Sequence, residues 1–403
     1  MTQLPENSPT FDLPAGFRFS GVAAGIKPSG RPDVALVVAD SPCVAAGVYT
    51  RNRIVAAPVV WCRERTPSST VRAVVTVSGN ANACTGERGG RDNRSIAESV
   101  AGVVGCDVDD VLVCSTGIIG RYLPMDRVAA GVRHAAESLG GDSRDFVRAA
   151  EAIRTTDADR KTAATTFDAD GRTYRIAAMA KGAGMIAPDM ATLLVTVLTD
   201  APLSPDDAAR VLRSAADRSF NRSSVDGHTS TNDTMLLLSS GGSDTRLTGD
   251  ALRTFEAAVT EVAVDLTKQV VADGEGANHR MVVRVVGADD VASAASIGRT
   301  VASSSLVKTA ITGGDPNWGR IVSAAGYGAV DFDPAAVGLS IDGTVIYRDG
   351  SPVEFDEPDL STRMKRNGEV VIELIVGRGD GSAEFYASDL TVDYVRFNSE
   401  YTT

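Results

Sequence analysis

The sequence is poor in histidine and aromatic residues and has no long apolar run. Its 403 residues include three histidines, His134, His228 and His279, and five cysteines, Cys43, Cys62, Cys84, Cys106 and Cys114. Neither a Cys-x-x-Cys spacing nor a His-Glu-x-x-His motif occurs, so the pattern gives no support to a metal site, and no cofactor is expected. An odd, scattered set of cysteines fits reduced thiols in a cytoplasmic protein better than a disulfide framework. No apolar stretch approaches ~18 residues, which leaves no candidate transmembrane helix. Residues 1–16 carry Glu6 and Asp12 but no basic stretch leading into an apolar one, so no secretory signal is read there. Positive charge is scarce too. Forty Lys and Arg against 52 Asp and Glu give a net charge of -12, which argues against nucleic acid as the main partner. Small anionic substrates remain possible, because a few local cations decide that.

What is present is an ordinary globular composition, 43% hydrophobic and 23% charged, long enough for a large core and two or three domains or lobes. No repeat or linker divides it. Apolar runs over residues 34–38, 44–49, 58–61 and 73–77 are punctuated by Gly, Pro and Asp and read as strands of a mostly antiparallel opening. Residues 95–104 have a helical rhythm behind Ser95, a candidate cap; 125–139 and 145–153 read as further helices. His134, in the first of these, reads as solvent-facing or locally satisfied and is given no catalytic role. Residues 111–115 form a strand, and 173–180 another, entered through an Asp170-Gly171 turn. Ser204-Pro-Asp-Asp opens a helix to about Ser219. Helices are expected over 252–271 and 289–301, strands over 235–238 and 281–286, and a smaller β-rich unit over 337–342, 369–376 and 383–387.

The stretch Lys181-Gly-Ala-Gly-Met-Ile-Ala-Pro-Asp-Met-Ala191-Thr192 runs from turn residues into the apolar, β-branched run 193–198. Thr192 therefore stands where a flexible loop meets a buried strand, which suits an activated hydroxyl nucleophile. A threonine that merely favours β structure fits the same pattern. Upstream, strand 111–115 runs into Thr116-Gly117. The glycine admits close backbone approach and the threonine adds a hydroxyl donor, two groups that could converge on an oxyanion, although Thr-Gly alone also makes a turn. The small polar loop from Ser78 to Gly86 is a second candidate wall.

The motif ending in Thr192 resembles the cleavage motif of the ornithine acetyltransferase, or glutamate N-acetyltransferase (ArgJ), family, and similar stretches recur from residue 16 to Thr403. The resemblance implies an α+β fold, αββα layered and DmpA/ArgJ-like, with a smaller C-terminal β-rich lobe from about residue 280. It implies self-cleavage between Ala191 and Thr192, giving an α subunit of residues 1–191 and a β subunit of 192–403 that begins with the nucleophile, in an α2β2 assembly. The freed α-amine, with an ordinary pKa of ~8, would then serve as the base for the hydroxyl. Thr116 and Gly117 would form the oxyanion hole. Lys181 would bind the substrate α-carboxylate and Glu275 a side-chain ammonium. Asn398 and Thr403 would contact substrate from a tail folded over the site.

The implied reaction is ping-pong acetyl transfer from N2-acetyl-L-ornithine to L-glutamate, in arginine biosynthesis; acetyl-CoA as a further donor is left open. The family's Thr-Thr-Asp-Thr, Asp-Gly-Asp-Thr-Ser-Thr-Asn-Asp and Asp-Gly-Glu-Gly-Ala-Thr-Lys patterns are broken at Ala158, His228, Asn278 and His279. These departures keep in view a specialised paralogue with a different acylated amino acid donor or a different acceptor. An N-terminal-nucleophile amidohydrolase or aminopeptidase, with water as acceptor, and an uncleaved binding protein are the remaining alternatives.

Overall fold

A computed structural model of the chain describes residues 10–187, 193–241 and 246–400. Ala191, Thr192 and Thr403 thus lie outside the described residues. The first elements are β1 (Phe17–Val22), β2 (Val34–Tyr49), α1 (Ala57–Glu64), β3 (Ser68–Asn80), α2 (Gly86–Val104) and β4 (Val111–Ile118). Next come α3 (Met125–Glu137), α4 (Ser143–Ala152), β5 (Lys161–Ala169), β6 (Arg172–Lys181), β7 (Leu194–Thr199), α5 (Pro205–Arg218), β8 (Ser223–Ser224) and β9 (Thr234–Ser239). Then follow α6 (Gly249–Ala272), β10 (Arg280–Ala288), α7 (Val291–Ser303), α8 (Ser305–Gly313), α9 (Trp318–Gly326), β11 (Gly338–Ile341), β12 (Thr344–Arg348) and β13 (Ser351–Pro352). The chain closes with α10 (Glu357–Arg366), β14 (Glu369–Ile375), β15 (Gly381–Ser388) and α11 (Val392–Glu400).

The first sheet has the order β4-β3-β2-β9-β7-β6-β5, with β1 paired to β2 as well. Strand β7 lies inside it, parallel to β9 and antiparallel to β6. Every residue of β7 is buried. Leu194 and Leu198 pack into a core with Ile96, Val132 and Phe146 of α2, α3 and α4, while Val195 and Val197 face Leu212 and Phe255 of α5 and α6. A strand covered on both faces needs no polar alternation, which explains the unbroken apolar run after Thr192.

The second sheet, β13-β12-β11-β14-β10-β15-β8, buries one face under α7 to α10. Its other face brings Val282 and Tyr386 against Val271 of α6, so α6 packs between the two sheets. The result is the layered α+β architecture that the resemblance implies. Apart from the two-residue β8, all strands of the second sheet lie at or beyond Arg280. No helix among the described residues is long and apolar enough to cross a membrane.

Some elements differ from the sequence reading. Residues 58–61 are not a strand but the heart of α1, where Pro58 occupies the first turn and Val59 and Cys62, three apart, are buried. Trp61 is fixed by its indole N–H, which donates to the Val111 carbonyl at 2.8 Å. Runs 34–38 and 44–49 are one long strand whose pairing with β3 shifts register between Val38 and Cys43. Helix α2 begins at Gly86, not Ser95; its first half is polar and offers no apolar rhythm to read. Strand β5, missed in the sequence, pairs with β6 through the expected Asp170-Gly171 turn, whose two residues both have positive φ.

Candidate active site

Strand ends build one cavity of about 210 Å³. At one wall β4 runs beside β3 in parallel, and Thr116 and Gly117, near the end of β4, line the cavity. Gly117 has φ +129°, and a Cβ there would stand 2.3 Å from the Gly79 carbonyl carbon, so only glycine lets the two backbones come this close. Asn232 ties this wall together. Its buried side-chain amide donates to the Ala81 carbonyl at 2.6 Å and the Ser115 carbonyl at 2.8 Å, clamping the loop after Ser78 onto β4.

Strand β6 ends at Lys181, which pairs with Leu194 at the start of β7. Its Nζ donates to Thr116 Oγ1 at 3.2 Å. The threonine hydroxyl hydrogen is thereby left available to a second acceptor. Burial lowers the Lys181 pKa, while the Asp157 carboxylate opposes that fall. Asp157 is itself buried. Burial alone would raise its pKa, but Lys161 and Lys181 outweigh burial and hold the carboxyl well below the usual range. Next to the chain's entry into β7, the Leu193 N–H donates to Asp233 Oδ1 at 3.0 Å, and the Leu193 carbonyl accepts from Thr234 N–H at 2.9 Å. Burial pushes the Asp233 carboxyl well above its ordinary pKa.

The facing wall is acidic. Glu275 follows α6 on a loop and lies against Gly184, where a Cβ would meet its Oε2 at 2.3 Å. Asn398 of α11 donates from Nδ2 to Glu275 Oε2 at 3.1 Å. Burial raises the Glu275 pKa, and hydrogen bonds from Thr156 and Asn398 moderate the rise. Asp226 accepts from Met185 N–H at 2.6 Å and Ile186 N–H at 3.0 Å, and also lines the cavity.

Five residues expected from the sequence therefore meet in one place: Thr116, Gly117, Lys181, Glu275 and Asn398 all line the cavity. The sequence reading missed Thr155, Thr156, Asp226 and Tyr394, which line it too. Thr155 and Thr156 belong to the Thr-Thr-Asp segment that ends at Ala158, and Ala158 itself is exposed and absent from the walls. Of the four departures, only His228 lines the cavity. His279 is buried elsewhere, its Nδ1 2.8 Å from Asp389 Oδ2, and Asn278 donates its N–H to the same carboxylate at 2.9 Å. Trp318 stacks on Tyr347 at 5.2 Å in the second core, a packing role.

Comparison with known proteins finds relatives that match over nearly the full length. The arginine biosynthesis bifunctional protein ArgJ of Rhodopirellula baltica is 55% identical over 405 residues, covering 99% of each chain. The protein of the same name from Symbiobacterium thermophilum is 46% identical, over 97% of this chain and 98% of its own. A crystal structure of the Bacillus halodurans protein of that name superposes with TM-score 0.50 at 34% identity, covering 51% of this chain and 98% of that one. Residues 18–403 match the ArgJ family description, and with these relatives the chain belongs to the ArgJ family.

Proposed function

We propose that this chain is a self-cleaving acetyltransferase of arginine biosynthesis that moves an acetyl group from N2-acetyl-L-ornithine to L-glutamate. The observation that carries the reading is charge placement: one cavity offers the Lys181 ammonium beside Thr116 and Gly117, and the Glu275 carboxylate on its other wall. An N-acetylornithine presents a carboxylate and a side-chain ammonium, the complement of that pair.

The chain would cut itself between Ala191 and Thr192, leaving subunits of residues 1–191 and 192–403 in an α2β2 assembly. The new α-amine takes the Thr192 hydroxyl proton as Oγ1 attacks the acetyl carbonyl carbon. Negative charge develops on the carbonyl oxygen, where the Thr116 hydroxyl and the Gly117 N–H donate, in the field of the nearby Lys181 ammonium. The carbon–nitrogen bond breaks, ornithine leaves with the proton, and an acetyl ester remains on Thr192. Glutamate then attacks that ester through its own amine, regenerating the hydroxyl. Lys181 binds the α-carboxylate, Glu275 the ornithine ammonium, and Asn398 and Thr403 complete the cavity from the tail. That the Bacillus halodurans chain is spanned almost whole by about half of this one supports a cut near the middle.

A denaturing gel with N-terminal sequencing tests the proposal. Two fragments are expected, the second beginning Thr-Leu-Leu-Val, and Thr192→Ala should abolish both cleavage and transfer. A single full-length band in active protein would contradict it. Because His228 is the one departure on the cavity wall, a changed substrate would act through that residue; assaying His228→Asp against a panel of acylated amino acids separates the two readings.

A further inference from the structure

We propose that Asp157, Lys161 and Asp273 form a buried ionic bridge that sets the spacing between the two charged walls of the cavity, an inference that rests on the acetyl-transfer reading for its kinetic arm. Lys161 lies between the two carboxylates with its side chain 1% exposed, against 0% for Asp157 and 12% for Asp273. Its Nζ donates to Asp157 Oδ1 at 2.7 Å, to Asp273 Oδ2 at 2.5 Å and to the Asp159 carbonyl at 3.3 Å. Each of the three ammonium protons therefore has an acceptor.

The carboxylates in turn hold backbone that belongs to the site. Asp157 accepts from Gly182 N–H at 2.7 Å, the residue after Lys181, and from Thr155 N–H at 2.9 Å, on the cavity wall. Asp273 accepts from Ala158 N–H at 3.1 Å and stands two residues before Glu275. One ammonium thus helps to index Lys181 and Glu275 to each other, beside the direct bond in which Glu275 N–H donates to the Ala183 carbonyl at 2.8 Å. Asp157 and Lys161 precede the proposed cut and Asp273 follows it, so the bridge would also join the two subunits. A buried ion pair adds little net stability over an apolar replacement; here its role would be to select one arrangement of the groups it connects. A substrate held at both ends feels that selection most. These are positioning residues; none of the three lines the cavity.

The test compares Lys161→Met, Lys161→Arg and Asp157→Asn with the parent, in steady-state assays and by backbone hydrogen exchange, at matched melting temperature. Lys161→Met and Asp157→Asn should raise KM for N-acetylornithine about tenfold or more, since a displacement of an ångström or so is costly in such sites. KM for glutamate, which has no ammonium side chain for Glu275, should move much less. Lys161→Arg should restore most of the loss. If Lys161→Met fails to fold, the other two variants carry the test. Equal changes for both substrates, or parental KM values in folded Asp157→Asn, would overturn the proposal. A parent inactive on N-acetylornithine would instead refute the functional reading. The exchange arm would still decide this one: Lys161→Met, which leaves the Asp157 acceptor in place, or Asp157→Asn if that variant does not fold, should speed exchange at Thr155 and Gly182, and unchanged protection there would overturn it.

Discussion

Lys181 and Glu275 face one cavity from supports of different kinds. Lys181 is the last residue of a strand inside the first sheet, 2% exposed, bonded to Thr116 on another strand of that sheet. Glu275 sits on a loop, half-buried, and its partner Asn398 rides on α11, a helix with no buried residue at all. The first support is rigid and of low dielectric, where a charge and aligned donors act strongly on a developing oxyanion. The second is assembled from distant segments and suits recognition, which tolerates adjustment better than bond-making does. The comparison predicts that changes at Thr116 and Gly117 act on kcat and that changes at Glu275 and Asn398 act on KM.

The largest effect is expected at Gly117. Gly117→Ala forces a side chain into the Gly79 backbone at a left-handed φ, so melting temperature and kcat should both fall steeply. Thr116→Val is the milder version: removal of one oxyanion donor should lower kcat by about 10²–10³-fold with KM nearly unchanged, measured by steady-state kinetics. A pure KM effect there would break the comparison.

At the other end, Glu275→Gln should raise KM for N-acetylornithine by about 10–100-fold, corresponding to a lost charged hydrogen bond of ~1.5–3 kcal/mol, while self-cleavage proceeds. The same carboxyl gives a pH signature. Its pKa is raised by burial, so it takes up its proton at a higher pH than an ordinary glutamate does. As pH falls, KM for N-acetylornithine should therefore begin to climb above the ordinary glutamate range, and Glu275→Gln should lose that dependence. A profile identical in both proteins would show that Glu275 does not bind the ammonium.

Smaller effects sharpen the contrast. Asn398→Ala removes one exposed bond to Glu275 and should raise the same KM about 2–10-fold, in keeping with ~0.5–1.5 kcal/mol. His279→Ala should leave kinetics nearly untouched. It strips a partner from the buried Asp389 carboxylate, so urea unfolding should report a loss of about 1–3 kcal/mol.

Local signals carried well from sequence to fold. Ser204, followed by Pro205 and two aspartates, caps α5 as read, its hydroxyl accepting from Asp207 N–H at 3.1 Å. The Asp170-Gly171 turn was legible because its two left-handed residues suit one type of hairpin. Residues 58–61 misled because four apolar residues suit a strand or a helix turn equally, and only packing decides. The site divided along the same line. Thr116, Gly117, Lys181, Glu275 and Asn398 were named from motif resemblance and do converge. The Asp157–Lys161–Asp273 bridge was not legible, because it joins residues 112 apart through side chains whose charges look like ordinary surface charge in the sequence. Tyr394 was hidden for a similar reason: nothing local marks an aromatic on a polar terminal helix as a cavity wall.

The most direct measurement is intact mass analysis of working enzyme mixed with N-acetylornithine in the absence of glutamate. An acetyl group on a fragment that begins at Thr192, removed when glutamate is added, is the predicted result. An uncut chain in turning-over enzyme, or an unmodified second fragment, would contradict the account.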